Sequence, residues 1–101
     1  MNISIIKGCF RSTQLTYISK NKKHKFKFEF FPQGNQVKIK CLDHPSYNGK
    51  SSDPEKTHLY RSKFICFIQG KEPKTMKRAK QLAAQWAEYF LDYRITGKVQ
   101  R

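Results

Sequence analysis

The fold of this chain is decided by residues 25–41, which read KFKFEFFPQGNQVKIKC. Phenylalanines alternate with charged residues in the first half of this stretch, and apolar residues alternate with lysines in the second half. Such alternation is typical of strands with one buried face, because successive side chains of a strand point to opposite sides. Residues 32–35, PQGN, supply turn chemistry between the two runs. The sequence therefore predicts a β-hairpin with strands at about 24–31 and 36–42.

The two strands of this hairpin can pair only in registers that put both sets of alternating apolar residues on the same face. A four-residue loop at 32–35 brings all their apolar side chains onto one face. The resulting pairs are Phe30 with Val37, Phe28 with Ile39, and Phe26 with Cys41. A slip of one residue would turn the apolar set of one strand to the other face. The same register places Lys27 opposite Lys40, which is unfavourable unless an anion lies between the two cations.

Three further segments have strand-like patterns. Residues 2–10 and 14–19 alternate in part, and residues 58–69 contain the run FICFI, which is apolar on both faces. A two-sided run is typical of a central strand that is covered on each side. Residues 43–57 form a long, polar loop that is rich in turn residues. Loops of this length are usually functional or mobile.

One helix is predicted at about 74–95. Thr75 can cap its start, and Gly97 is a stop signal after its last turn. Its apolar residues recur at spacings of three and four, which gives one stripe that contains Trp86. The sequence therefore predicts a single α+β domain over residues 1–101, with a strongly curved antiparallel sheet of four to five strands packed against one C-terminal α-helix.

The charge of the chain indicates a class of partner. The chain has 101 residues, enough for one domain, and carries 21 Lys and Arg against 7 Asp and Glu, a formal net charge of +14. Such a surplus is typical of proteins that bind polyanions such as nucleic acid. A membrane partner is not expected, because no segment approaches the roughly 18 consecutive apolar residues of a spanning helix. The predicted helix also lacks the basic, Trp-rich face of membrane-surface helices.

The basic residues fall into two groups. The first follows the loop before the hairpin and then the outward face of its strands: Lys20, Lys22, Lys23, Lys25, Lys27, Lys38 and Lys40. The second lies at the helix start: Lys74, Lys77, Arg78 and Lys80. Cations are unfavourable at the positive end of a helix, whereas the free amides there suit a phosphate. Aromatic side chains that stack on unpaired bases are expected beside the first group, namely Phe31, Tyr47 and Tyr60.

Metal and acid–base chemistry would depend on two small sets of side chains. A zinc site would need Cys41, His44, His58 and Cys66, which do not form the two close-spaced pairs that tetrahedral zinc generally uses. A nuclease-like enzyme would draw on the residues Asp43, His44, Asp53, Glu55 and His58. Loop acids beside prolines more often shape turns. No catalytic residue, metal ligand or cofactor is therefore predicted.

The leading prediction is a small, non-enzymatic nucleic-acid-binding protein that contacts the phosphate backbone. Lysine outnumbers arginine, which favours backbone contacts over bidentate base reading, so low sequence specificity is expected. DNA and RNA, in one strand or two, stay open. A cytoplasmic location is expected, because residues 1–7 do not form a signal peptide and the odd set Cys9, Cys41 and Cys66 suits reduced thiols.

The alternative prediction is a protein-interaction module or small subunit that docks on an acidic protein partner. The apolar residues 64–68 would then form the contact, or would join two copies in a homodimer through the sheet. A nuclease-like enzyme is the third hypothesis.

Overall fold

Three antiparallel strands followed by one long helix form the fold, in a computed structural model that describes residues 12–99. The strands neighbour one another in chain order and are β1, Thr13–Ile18, β2, Lys25–Gln33, and β3, Gln36–Asp43. A single-turn helix α1, Pro54–Thr57, interrupts the long loop, and α2 spans Met76–Thr96. The predicted α+β class is confirmed. The predicted strand at 2–10 lies outside the described residues, and strong curvature of the sheet stays a prediction.

The β2–β3 hairpin is confirmed, but its predicted register is wrong by two residues. A two-residue turn, Gly34 and Asn35, replaces the four-residue loop, so both strands extend to the paired residues Gln33 and Gln36. The observed pairs are Phe28 with Cys41, Phe30 with Ile39, and Pro32 with Val37. Gly34 has φ +59, a positive value that the first central position of a type II′ turn requires. A shift of two preserves parity, so the apolar side chains stay on the same face.

The shift removes the like-charge pair expected between Lys27 and Lys40. Lys40 lies opposite Glu29, and a register shift between Lys27 and Phe28 brings Lys27 opposite Asp43. Opposite charges across an antiparallel pair are favourable, by about 0.2–1 kcal/mol. The turn and the bulge thus place Lys27 and Lys40 each opposite an acidic residue, whereas Lys38, expected opposite Glu29, lies opposite Phe31.

The segment predicted as the last strand, residues 58–69, is not a strand. A tight turn at residues 60–63, in which Lys63 has φ +77, folds the segment back on itself. Isolated bridges form instead, and they join Leu59 to Ile65 and Lys40 to Phe64. The prediction was wrong because it carried the apolar pattern of residues 64–68 back through the polar residues of the turn.

Residues 58–66, which we call the arm, close the outer edge of β3 together with the chain that follows them. Three backbone hydrogen bonds do this among the described residues: Cys41 N to Lys63 O at 2.8 Å, Ile65 N to Ile39 O at 2.9 Å, and Val37 N to Pro73 O at 2.8 Å. An uncovered edge strand is a template for pairing with other chains. The arm therefore protects β3 without adding a regular strand to the sheet.

An aromatic core joins the sheet to α2. Phe26 and Phe28 of β2 meet Trp86 edge to face, with ring centroids 6.1 Å apart in both pairs. Phe26 also meets Phe90, at 5.6 Å. The indole N–H of Trp86 donates to the carbonyl of Thr57 at 2.9 Å, which satisfies its polar atom. Truncation of such a buried aromatic side chain typically lowers the free energy of unfolding by about 3–5 kcal/mol. Trp86 is therefore an anchor of the core, as its place in the apolar stripe predicts.

Both ends of α2 use the capping residues that the sequence predicts. The hydroxyl of Thr75, the N-cap, accepts from the amide of Arg78 at 3.1 Å. Gly97 follows the last turn with φ +74, and its amide donates to the carbonyl of Tyr93 at 2.7 Å. A left-handed glycine at this position ends a helix without the steric cost of a Cβ. The predicted bounds, 74–95, therefore need only small adjustments.

The long loop at 43–57 is fastened to the C-terminal half of α2. The guanidinium of Arg94 donates to the carbonyl of Ser46 at 2.9 Å, and the hydroxyl of Tyr93 donates to the carbonyl of Ser51 at 2.6 Å. Such bonds satisfy loop carbonyls that no strand partner reaches. The loop thus packs along the helix.

We expect Gly34→Ala to destabilise the domain by about 1–2 kcal/mol, because a Cβ disfavours a positive φ. No heavy atom outside the adjacent residues lies within 4 Å of the added Cβ, so the effect is backbone strain alone. Urea unfolding measures the change, and Asn35→Ala, at the neighbouring turn position, is the control expected to lose less. Equal losses in the two variants would contradict the two-residue turn.

Candidate nucleic-acid interface

The sheet face that α2 does not cover is lined by alternate side chains of all three strands. We call it the open face, and it comprises Gln14, Thr16, Ile18, Lys25, Lys27, Glu29, Phe31, Lys38 and Lys40. Its lysines alternate with buried residues along β2 and β3 and are themselves exposed or half-buried. One packed face and one face toward solvent is a common arrangement of antiparallel sheets. The structure thus brings four of the predicted site lysines onto one surface.

Positive charge predominates on the open face. Glu29 lies opposite Lys40 and Asp43 lies opposite Lys27, whereas Lys25 and Lys38 lie opposite uncharged residues of the neighbouring strands. Asp53 and Glu88 accept hydrogen bonds elsewhere in the fold, from the start of α1 and from the β1–β2 turn. A surface with more cations than anions attracts polyanions, and the attraction weakens as salt is added.

Two phenylalanine rings lie beside these lysines. Phe31 on β2 and Phe64 of the arm have ring centroids 5.7 Å apart, and the ammonium of Lys40 lies 5.7 Å from the Phe64 centroid. The ring pair holds the arm against the open face, and the second contact is a cation–π interaction. The sequence predicts Phe31 here but misses Phe64, which it assigns to a central strand. The available signal is that residues 64–68 are apolar on both faces, so one set had to leave the helix-facing core.

A cavity of about 410 Å³ lies at the edge of the open face, between the end of the hairpin and the arm. Its polar lining includes Gln36, Lys38, Ser62 and Glu72, and its aromatic lining consists of Tyr60, Phe64 and Phe67. Pockets for small ligands usually measure about 300–1,000 Å³ and combine apolar walls with a few polar groups. This cavity has both properties.

The structure separates the other two aromatic residues predicted beside the lysines. Tyr60 is 50% exposed and lines the cavity, and a hydrogen bond with Cys66 raises the pKa of its hydroxyl. Tyr47 lies on the α2 side of the sheet, with its ring centroid 5.2 Å from that of Phe90, and burial raises its pKa. Tyr47 is therefore not brought to the open face, because the long loop runs along α2.

The turn between β1 and β2 carries three of the predicted lysines in exposed positions, namely Lys20, Lys22 and Lys23. Buried Ser19 organises this turn, because its hydroxyl donates to Asn21 at 2.6 Å and accepts from the amide of His24 at 3.1 Å. From α2, Glu88 accepts from the Tyr17 hydroxyl at 2.5 Å and from the backbone amide of residue 20 at 3.0 Å. The turn is thus held in place and leads directly into β2.

The second predicted basic group lies in the other layer of the fold. Its four members are exposed at the start of α2: Lys74, Lys77, Arg78 and Lys80. The first turn of this helix holds no acidic residue, and a shallow cavity of about 360 Å³ lies beside it. Glu72 lines this cavity and also the one beside Lys38. The two basic groups therefore belong to different layers of the fold and approach each other at the edge where Glu72 lies.

Several of the residues that could support metal or acid–base chemistry instead pack in the core or cap a helix. Cys41 is buried in the core, where burial raises the pKa of its thiol to about 12. His44 packs with its ring centroid 4.8 Å from that of Phe90. Asp53 caps α1, and His58 follows it with φ +59. Among residues 12–99, no group of three or more His, Cys, Asp and Glu side chains is placed to hold a metal ion.

Comparison of the chain with protein families, with curated proteins and with solved structures finds no match. Neither helix in the described part of the chain is both long and apolar enough to cross a membrane. Any proposal for function therefore rests on the geometry of the surfaces described above.

We expect Tyr17→Phe to lower the free energy of unfolding by about 1 kcal/mol, because the lost hydroxyl donates to the Glu88 carboxylate. Burial, and then the bond to Glu88, raise the pKa of Tyr17 from 10.0 to about 12. The folded protein therefore keeps a proton that an unfolded chain loses near pH 10. This stabilisation is complete below about pH 10 and is lost as the pH rises toward 12.

Urea unfolding at a series of pH values from about 9 to 12 measures this effect. Wild-type stability should fall more steeply than that of Tyr17→Phe across this range. Glu88→Ala should cause a larger loss, because this carboxylate also accepts from the amide of residue 20, and the double variant should lose little more than Glu88→Ala alone. Parallel pH profiles of wild type and Tyr17→Phe would refute the role assigned to the hydroxyl.

Proposed function

We propose that this protein binds nucleic acid through its phosphate backbone, with the open face as the main contact surface. The observation that supports this most is that Lys25, Lys27, Lys38 and Lys40 share one solvent-facing side of the sheet, while the other side is the core. Lysine ammonium groups contact phosphates as point charges, and such contacts carry no sequence information. Low sequence specificity is therefore part of the proposal.

The remaining basic residues contribute unequally to binding in this proposal. The lysines of the β1–β2 turn extend the cationic surface at the end where β2 begins. The group at the start of α2 lies in the other layer, and one straight ligand does not lie on both layers at once. We therefore assign the main contact to the open face and a minor one to the helix start.

Two variants with the same loss of charge test this assignment. The first replaces Lys25, Lys27, Lys38 and Lys40 by Gln, and the second replaces Lys74, Lys77, Arg78 and Lys80 by Gln. We expect the first to bind a labelled single strand about 10- to 100-fold more weakly at about 50 mM salt, and its salt slope to fall by about 3, since each lost phosphate contact removes about 0.7. The second should change both quantities much less. Fluorescence anisotropy measures the affinities.

The outcomes of this comparison show whether binding depends on where the cations lie or only on the net charge of the protein. Equal losses in the two variants would mean that charge alone governs binding, which contradicts an interface on the open face. No binding by the wild type to single or double strands at about 50 mM salt would end the nucleic-acid proposal. Cleavage of the labelled strand during incubation would instead support the nuclease-like hypothesis.

A second candidate function is the docking of an acidic protein segment beside α2. An apolar groove of about 300 Å³ lies between residues 65–68 and the helix, and Lys71 and Arg78 contribute to its lining. Ile68 is 79% exposed at this groove. Apolar contact with flanking cations would suit a partner of negative charge. This candidate takes precedence if the wild type binds no nucleic acid.

A cytoplasmic location accompanies the leading proposal. Cys41 and Cys66 are free thiols in the structure, as suits a reducing compartment. Formation of a disulfide by these residues in the protein as isolated from cells would contradict this location.

A further inference from the structure

We infer that the cavity at the edge of the open face accepts one unpaired base, so that the protein prefers single-stranded to double-stranded nucleic acid. This inference rests on the proposed function, because the lysines of the open face must first hold the backbone. It adds a substrate class to that function. The occupant is identified by three features of the site: its continuity with the lysines, its lining and its charge.

The cavity is continuous with the lysines of the open face. Lys38 lines the cavity and also belongs to the open face, and Phe64 lines the cavity while its ring contacts Phe31 on that face. Lys40 lies over the same Phe64 ring. A backbone phosphate held between the two lysines would therefore place the attached base at the mouth of the cavity. Cationic grooves with adjoining aromatic rings are the usual means by which proteins hold single strands.

The lining of the cavity offers aromatic side chains on which a base can stack. Tyr60 is half exposed and presents its ring to this space, and Phe64 and Phe67 supply further aromatic surface. Stacking on such rings is available to every base, because every base has a π-face. The bases of a duplex are stacked and paired with one another, and removing one from the duplex costs free energy. A single strand does not incur that cost in full, so the cavity favours it.

Charge decides between a base and a phosphate as the occupant. Glu72 lines the cavity, and its carboxylate is fixed by a hydrogen bond that it accepts from the amide of Gly70 at 2.9 Å. An anionic carboxylate disfavours a phosphate inside the cavity and leaves the phosphates on the lysines outside. The same carboxylate can accept a hydrogen bond from the exocyclic amino group of a base, as Glu does from cytosine. A base with an amino group therefore fits better than thymine or uracil.

Binding of four nucleic-acid probes of about 12 nucleotides to the full chain tests the inference. The probes are a mixed-sequence single strand, its duplex, and the matched pair oligo(dC) and oligo(dT). We expect the wild type to bind the single strand more tightly than the duplex, and oligo(dC) more tightly than oligo(dT). Tyr60→Ala should weaken binding of the single strand about 5- to 150-fold, with little effect on the duplex. Glu72→Gln should reduce the preference for oligo(dC).

Three controls separate stacking from damage to the fold and from loss of charge. Tyr60→Phe retains the ring and loses the hydrogen bond with Cys66, so it should bind as the wild type does. Tyr89→Ala removes a tyrosine of comparable exposure, 38%, from α2 in the other layer and should also bind normally. Lys38→Gln should weaken binding of single strand and duplex alike, because it removes a phosphate contact.

Each failure has its own signature. Equal affinity for single strand and duplex, together with no effect of Tyr60→Ala, would overturn the base-binding cavity and leave the lysine interface standing. A loss in Tyr60→Phe as large as that in Tyr60→Ala would assign the effect to the hydroxyl and contradict stacking. Absence of binding to every probe would instead refute the proposed function itself.

Discussion

The packing of α2 against one face of the sheet is the interaction on which the rest of the structure depends. Trp86 and Phe90 meet the phenylalanines of β2, while buried alanines elsewhere along the same stripe let the helix lie close to the strands. The described chain has a single helix of this length, so the opposite face of the sheet is left open. Alternation along β2 and β3 then turns every lysine of these strands to that face. The location of the charge is thus a consequence of how the core is built.

Much of this core could be predicted from the sequence, because its apolar residues recur at the regular spacings of a strand or of a helix. The alternation in residues 25–41 and the stripe around Trp86 each specify which side chains are buried. Thr75 and Gly97 mark the helix ends through the chemistry of capping. The hydrophobic pattern does not fix the register of the hairpin, because a two-residue and a four-residue loop leave the same side chains on the core face. The signal that favours the observed two-residue turn is the dipeptide Gly34-Asn35, because glycine adopts the positive φ that the first position of a type II′ turn requires.

The candidate site could be predicted in part, and there is a physical reason why some of its residues could be predicted and others could not. The lysines of the open face could be predicted, because the alternation of side chains along a strand is enough to tell on which face each residue lies. Phe64 and the cavity require the path of the arm, which depends on a turn at polar residues that carry no burial signal. Tyr47 is predicted beside the lysines, yet the loop that carries it runs along α2. Contacts between distant segments therefore account for what the sequence does not reveal.

The way in which the arm is attached to β3 has a consequence for its mobility. Isolated bridges join the two, whereas continuous ladders join the three strands. Segments held in this way open at lower free energy than the core, and their amides exchange with solvent earlier. The arm is one wall of the cavity beside Lys38, so we expect the shape of that cavity to depend on how firmly the arm stays attached to β3. Slower amide exchange in the arm would therefore report occupancy of the cavity, independently of any affinity measurement.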